Sequence, residues 1–300
     1  MNRDARVVGA ILAASLFGLV VLLVVMAGGG AGSGTRGGSR SLPWEKRVAR
    51  VDLVGDIYDP EPVVEEIRRW RDDESVRAMV IRIDSPGGTV AASQEIYEEI
   101  RRYRDSGRPV VASLGNVAAS GAYYAALGAT EVMASPGTLT GSIGVIMSLP
   151  NTQELFRKVG VEVQIVKSGS FKDIGNPFRP LSEPERAILQ GLLDDAYGQF
   201  VGAVAEGRHL ERDQVLALAD GRLYSGQQAK ALGLVDSLGT YHDAVLRAGE
   251  LAGMAGEPRV VRQREPYHWM RELVRNLLGP GERAMAAISS GPRLEYRLVW

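Results

Sequence analysis

Three hydrophobic rhythms divide the chain. Residues 7–27 are apolar apart from Ser15. About 20 such residues, coiled at about 1.5 Å each, span the hydrocarbon of a bilayer, so the stretch reads as a single transmembrane anchor. A cleaved signal peptide is the rival reading, but its apolar region normally runs only about 7–15 residues. Arg3 and Arg6 lie in the short tail, 1–6, and Arg36 and Arg40 follow on the far side, so the positive-inside comparison is nearly even. A short leading tail usually stays cytoplasmic, which places the remainder outside the cytoplasm. Residues 28–44 are mainly Gly and Ser and behave as a linker without a core of their own.

From residue 45 the apolar positions alternate between the strand and helix periods. The pattern predicts a strand over 48–57, a helix over 62–71, a strand over 78–83, a helix carrying Ile96, Ile100 and Tyr103 on one face, and a strand over 109–114. Alternating β and α units imply an α/β domain, 45–256, with largely parallel strands and ligand sites at their carboxyl ends. A Gly/Ser-rich region, 135–148, is followed by a strand-like 161–166 and a loop holding Lys172. Ser182 and Glu185 form a capping box that opens a helix with Leu189, Leu192, Leu193, Ala196, Phe200 and Val204 on one face. Helices starting near Gly226 and Thr240 finish the domain.

The third rhythm belongs to a C-terminal extension, 257–300. Residues 266–278 are amphipathic at the helical period, suited to lying on a membrane or packing on the protein itself. Leu294, Tyr296, Leu298 and Trp300 then alternate with Arg293, Glu295, Arg297 and Val299. Extended segments of this kind add to exposed sheet edges, so this end is expected to dock along one, beside a ligand groove or at a subunit interface.

Composition narrows the chemistry. With 35 basic and 36 acidic residues, there is no positive field for nucleic acid, and the absence of cysteine removes disulfides and thiolate metal sites; no metal or cofactor is expected. Ser120 follows the 109–114 strand and opens an Ala-rich helix, with Gly121 next to it. Asp84, Ser85, Pro86, Gly87 and Gly88 follow the 78–83 strand. A hydroxyl at one strand end, with backbone amides of Gly121 and the Gly87–Gly88 turn beside it, suits acyl transfer: a nucleophile facing an oxyanion hole. The three histidines, His209, His242 and His268, lie in charged or tail settings that suit surface residues. Lysine is therefore the candidate base, and only Lys46, Lys158, Lys167, Lys172 and Lys230 exist among 30 arginines, which cannot serve. Lys172 and Lys167 compete for the role, and Ser142 could hold the amine by a hydrogen bond.

Taken in order, Asp84 to Gly88, Ala118 to Tyr124, Thr140 to Gly144, Lys167 to Gly169, Phe171 to Asp173 and Leu234 to Asp236 resemble the short form of bacterial signal peptide peptidase, SppA. That resemblance implies a Ser-Lys peptidase of the Clp protease/crotonase-like fold, built of repeated β-β-α units behind one N-terminal transmembrane helix. It implies Ser120 as nucleophile and Lys172, rather than Lys167, as base. Gly88 and Gly121 become the oxyanion amides and Ser142 the lysine-orienting hydroxyl. It further implies a homo-oligomer whose sites combine neighbouring subunits, and hydrophobic peptides such as remnant signal peptides as substrates. Ala122, where many relatives have a second Gly, and the Asn116–Val117 pair depart mildly from the family pattern. The competing expectations keep the fold: a crotonase-like acyl-CoA enzyme that needs no Ser120, or an inactive membrane scaffold.

Overall fold

The computed structural model describes residues 46–263 and 294–298. The anchor over 7–27, the 28–44 linker and the 266–278 segment lie outside the described residues, and no helix among those described is long and apolar enough to cross a membrane.

Strand β1 (Arg47–Val54) leads through α1 (Glu61–Asp72) to β2 (Val76–Ser85), and the short β3 (Gly87–Thr89) runs straight into α2 (Val90–Asp105). Strand β4 (Val110–Ala119) returns beside β2 and is followed at once by α3 (Gly121–Ala126). The β1, β2 and β4 ladders are all parallel. Hence β2 is nearly buried from end to end, as a strand covered on both faces must be. Its side chains alternate between two apolar layers. Met79, Ile81 and Ile83 face the main core with Ile67, Ile96 and Ile100, whereas Ala78 and Val80 meet Ala244, Val245 and Ala248 of α8 (Tyr241–Leu251). The mixed α/β architecture and its parallel-rich sheet match the expected fold class, with β2, β3 and α2 forming one β-β-α unit.

The sheet is wider than its core. Strands β5 (Glu131–Ala134) and β6 (Leu139–Gly141) both pair in parallel with β4, at residues 111–114 and 117–119 respectively. The change of partner coincides with a register shift between β2 and β4, and Asp84 bridges it. Its carboxylate accepts from the Val117 N–H at 3.2 Å and from Asn116 Nδ2 at 3.1 Å. Beyond β6 lie the antiparallel β7 (Leu223–Ser225) and α7 (Gly226–Ala231), and β8 (Ser237–Leu238) flanks β5. Strand β9 (Arg259–Arg262) joins the free side of β1, so the C-terminal extension is partly built into the sheet.

Two segments depart from the periodicity. Residues 161–166 adopt no ladder, and Val161, Val163, Ile165 and Val166 are exposed; an apolar alternating stretch becomes a strand only where a neighbour supplies backbone partners, and none of the described residues does. Helix α5 (Glu183–Arg208) forms as expected behind its Ser182–Glu185 box and buries Leu189, Ala196, Phe200 and Val204, yet Leu192 stays 48% exposed beside an exposed Ile188. The short α4 (Gln153–Lys158) and α6 (Arg212–Leu218) complete the helices.

The C-terminal end of α5 locks the layer beneath α3. Arg208 grips Asp236 with two bonds of 2.7 Å and donates Nε to the Gly233 carbonyl at 2.9 Å, while Asp236 also accepts the Val132 amide of β5 at 2.7 Å. The buried Tyr123 hydroxyl of α3 donates to the neighbouring Leu234 carbonyl at 2.7 Å. Burial pushes the Asp236 carboxyl up, but the Arg208 fork and the Val132 amide outweigh it, and the group ends below its usual range. A carboxyl lowered in this way stabilises the fold at pH values above its unfolded value, about 3.9, and loses that contribution as pH falls through the folded value. Asp236→Asn is therefore expected to cost on the order of 2 kcal/mol at pH 7, with the gap between variant and wild-type melting temperatures closing as pH falls below the unfolded value of about 3.9; calorimetry across pH measures both.

Candidate active site

Two adjacent parallel strands end side by side, and each is followed by a serine in a left-handed conformation. Ala119 pairs with Gly141, the last residues of β4 and β6, and the next residues are Ser120 at φ 54° and Ser142 at φ 50°. Ser120 cannot relax, because its amide donates to the Gly141 carbonyl at 2.8 Å while its own carbonyl accepts the Tyr124 amide at 2.9 Å in the first turn of α3. Ser142 is pinned by its amide to the Arg222 carbonyl at 2.8 Å. A non-Gly residue with positive φ costs on the order of 1–3 kcal/mol and persists only where its surroundings over-determine it. Both serines are nearly buried and line one cleft of about 570 Å³ with Gly144, Tyr197, Gly221 and Arg297. Neither hydroxyl bonds another of the described residues, which leaves both open for chemistry.

Glycines make the facing wall. Strand β3 lies against Ile57 on one side, through Ile57 N to the Gly87 carbonyl at 2.9 Å and Thr89 N to the Ile57 carbonyl at 2.8 Å. A Cβ on Gly88 would drive into the Ile57 carbonyl; one on Gly121 would strike Ser93 Oγ and stand 3.2 Å from the Gly88 amide. Gly87, at φ 100°, turns the chain, and a Cβ there would meet the Gly121 amide at 2.7 Å. The structure thus brings Ser120, Ser142, Gly88 and Gly121 together, with two backbone amides from two loops at one point. Ser93 Oγ donates to the Thr89 carbonyl at 2.9 Å and fixes the junction of β3 with α2. Sequence reasoning missed Ser93, and it gave Asp84 no part beyond its motif; the register shift that Asp84 bridges arises between strands and leaves no local mark.

The lysines sit apart from this cleft in the single chain. Lys172 lies exposed in the 167–176 turns, and its side chain bonds none of the described residues. Lys167 is committed elsewhere: its ammonium pairs with Asp173, which also accepts Arg179 Nε at 2.9 Å. The Arg179 and Lys167 hydrogen bonds, in that order, hold the Asp173 carboxyl well below its usual range. Arg179 in turn bonds Glu185, and this bond together with the Ser182 amide and hydroxyl lowers the Glu185 carboxyl to about 2. The loop that displays Lys172 is thereby stitched to the start of α5. His209 and His242 are both exposed and do not line the cleft of the two serines, and His268 lies outside the described residues.

Residues 102–255 match the profile of Peptidase family S49. A Synechocystis protein named as a candidate protease, slr0021, is 43% identical over 256 residues, covering 85% of this chain and 91% of its own. A candidate signal peptide peptidase SppA of Enterococcus faecium is 37% identical over 63% of this chain and 55% of its own length. Protease 4 of Haemophilus influenzae is 33% identical across 71% of this chain, which spans 36% of that longer protein. Matched on its sequence over half its length and along nearly the whole of a relative, the chain belongs to peptidase family S49.

Proposed function

We propose that the chain is a serine endopeptidase in which Ser120 is the nucleophile and Lys172 of a neighbouring copy is the base. The observation that carries this reading is the strained, doubly pinned Ser120 whose hydroxyl opens on a cleft beside the Gly88 and Gly121 amides. Neutral Lys172 would take the hydroxyl proton as Ser120 Oγ adds to a peptide carbonyl, and Gly88 and Gly121 N–H would hold the oxyanion. Collapse would pass that proton to the departing amine and leave an acyl-serine, which water then hydrolyses by the reverse relay. Ser142, one strand over, would accept a hydrogen bond from the lysine and orient it.

The surface supports a second copy. Val161, Val163, Ile165, Val166 and Phe171 are exposed around the lysine loop, and Ile188 and Leu192 are exposed on α5; such apolar exposure fits a subunit contact. Residues 7–27 would anchor the assembly in a membrane with its catalytic part outside the cytoplasm, where hydrophobic peptides such as remnant signal peptides are its expected substrates. The protease names of the relatives support hydrolysis over acyl-CoA chemistry.

Full-length protein in detergent should react with a fluorophosphonate probe, and Ser120→Ala should abolish the label. Lys172→Ala is expected to lower kcat about 10²–10⁴-fold, whereas Lys167→Ala should retain most turnover; the reverse ranking would assign the base to Lys167. Because a lysine base works only deprotonated, kcat/KM should climb with pH from mildly acidic to alkaline conditions, and a flat profile would count against it. Co-assembled Ser120→Ala and Lys172→Ala chains, each inactive alone, should regain activity if the two residues come from different copies. Continued inactivity of a properly assembled mixture would place both residues in one chain.

A further inference from the structure

Between two matched points, β4 uses two residues more than the strand beside it. Leu114 stands opposite Ile83 of β2, but Ala118 stands opposite Ser85, so four steps along β4 answer two along β2. Residues 115–117 carry the excess as a bulge. Across the same residues β4 exchanges β5 for β6 on its other side, Leu114 facing Ala134 and Val117 facing Leu139. A bulge strands backbone groups, and three polar side chains meet them here. Asp84 Oδ1 accepts the Val117 amide at 3.2 Å, Thr138 Oγ1 donates to the Gly115 carbonyl at 2.8 Å, and Thr140 Oγ1 donates to the Ala118 carbonyl at 2.7 Å. Both threonines are buried, where a hydroxyl is costly unless it is bonded. Gly115 lets Asp84 lie across the bulge, since a Cβ there would stand 3.0 Å from the carboxyl carbon.

Past the bulge the register closes again in one row: Ser85 of β2, Ala118 of β4 and Thr140 of β6. The parts of the site fan out from that row. Gly88 follows Ser85 by three residues, Ser120 follows Ala118 by two, and Ser142 follows Thr140 by two. Their relative placement is therefore the register of the row. A strand advances about 3.3 Å per residue, so without the bulge residue 116 would face Ser85 and Ser120 would overshoot by about 6–7 Å. A slip of one residue would instead turn its side chain to the other face of the sheet. Thr140 ties the row together, because its hydroxyl joins Ala118 to β6 and, one step on, the Gly141 carbonyl accepts the Ser120 amide at 2.8 Å.

We propose that the β4 bulge is a spacer whose length sets Ser120 level with Ser142 and the Gly88 amide, and that Thr140 and Asp84 are positioning residues that hold it at that length. The proposal rests on the peptidase reading above and adds two residues that act on the nucleophile only through the backbone. Thr140→Val keeps the volume but leaves the Ala118 carbonyl without its hydroxyl, so Ser120 Oγ moves relative to the oxyanion amides. A displacement of about 1 Å costs up to about 10²-fold in rate. That loss falls on alignment and not on peptide binding, which confines it to kcat.

Full-length protein in detergent is assayed with a quenched fluorogenic peptide of apolar sequence, well below the melting temperature of each variant. Thr140→Val is expected to lower kcat about 10–10²-fold with KM within about twofold, and Thr140→Ser, which returns the hydroxyl, to restore kcat to near wild type. Asp84→Ala should behave like Thr140→Val, whereas Asp84→Asn, which keeps an acceptor for the Val117 amide, should recover most of the rate. Melting temperatures that fall while kcat holds, or a Thr140→Ser no better than Thr140→Val, would overturn the positioning role and leave the peptidase intact. A wild type that neither cuts the peptide nor takes a fluorophosphonate label fails the peptidase reading instead, and amide hydrogen exchange then decides the spacer alone. Faster exchange over residues 115–121 in Thr140→Val, reversed in Thr140→Ser, supports it; unchanged exchange sinks it. Should Thr140→Val not fold, the two Asp84 variants decide by the same readouts.

Discussion

Backbone meets backbone at Gly87, Gly88 and Gly121 with no space for a single Cβ, and the rest of the site depends on that approach. The parallel ladder of β2 with β4 delivers the two strand ends to the same place; what remains is to stop side chains from separating them. With the gap closed, the amides after β2 and after β4 point at one spot, and Ser120 is forced into a conformation that other residues avoid. Strain at Ser120 is thus a product of convergence. Asp84 contributes by accepting the Val117 amide that the register shift would otherwise strand, with the Asn116 side-chain amide beside it.

Helix α5 connects parts of the molecule that serve different purposes. Its first turn, through Glu185, Arg179 and Asp173, holds the loop that displays Lys172. Its middle, through Ala196 and Phe200, holds the Tyr296 hydroxyl and ring. Its end, through Arg208, secures the Leu234–Asp236 strip that Tyr123 reaches from α3. One rigid rod fixing the Lys172 loop, the Tyr296 ring and the helix after Ser120 explains why such a length of polar and apolar residues is kept unbroken, since a kink would move all three relative to one another.

Much of this was legible in the linear chain, for physical reasons. Parallel strands buried on both faces show as dense apolar runs, and the glycines after them mark the points where backbones approach, so Ser120, Gly121 and the Gly87–Gly88 turn stand out by spacing, while Gly88 within that turn rests on the family resemblance. The capping box at Ser182 is local, and it forms as read. Ser142 stands out through that resemblance and its Gly/Ser-rich setting; the short β6 before it leaves no periodicity to read. The failures were all of partnership. The alternation over 161–166 is that of a strand, but pairing is a property of a neighbour, and the described residues offer none. Leu192 fits the buried face of α5 by spacing yet lies outside it. Ser93 and Ala196 act through a hydroxyl and a backbone carbonyl whose significance depends on what sits opposite, and no periodicity carries that.

The pairing of β10 (Glu295–Arg297) with β3 joins Glu295 to Thr89, residues far apart along the chain. Contacts so distant in sequence close late, because the entropy of bringing remote segments together has to be met before they repay it. During synthesis β3 is made well before β10, and for that interval β3 has an unpaired edge. Exposed edges of this kind recruit strands from other chains. The backbone that lies against the Gly121 turn is therefore where a half-made molecule is most exposed to its neighbours, and the arrival of β10 ends that exposure.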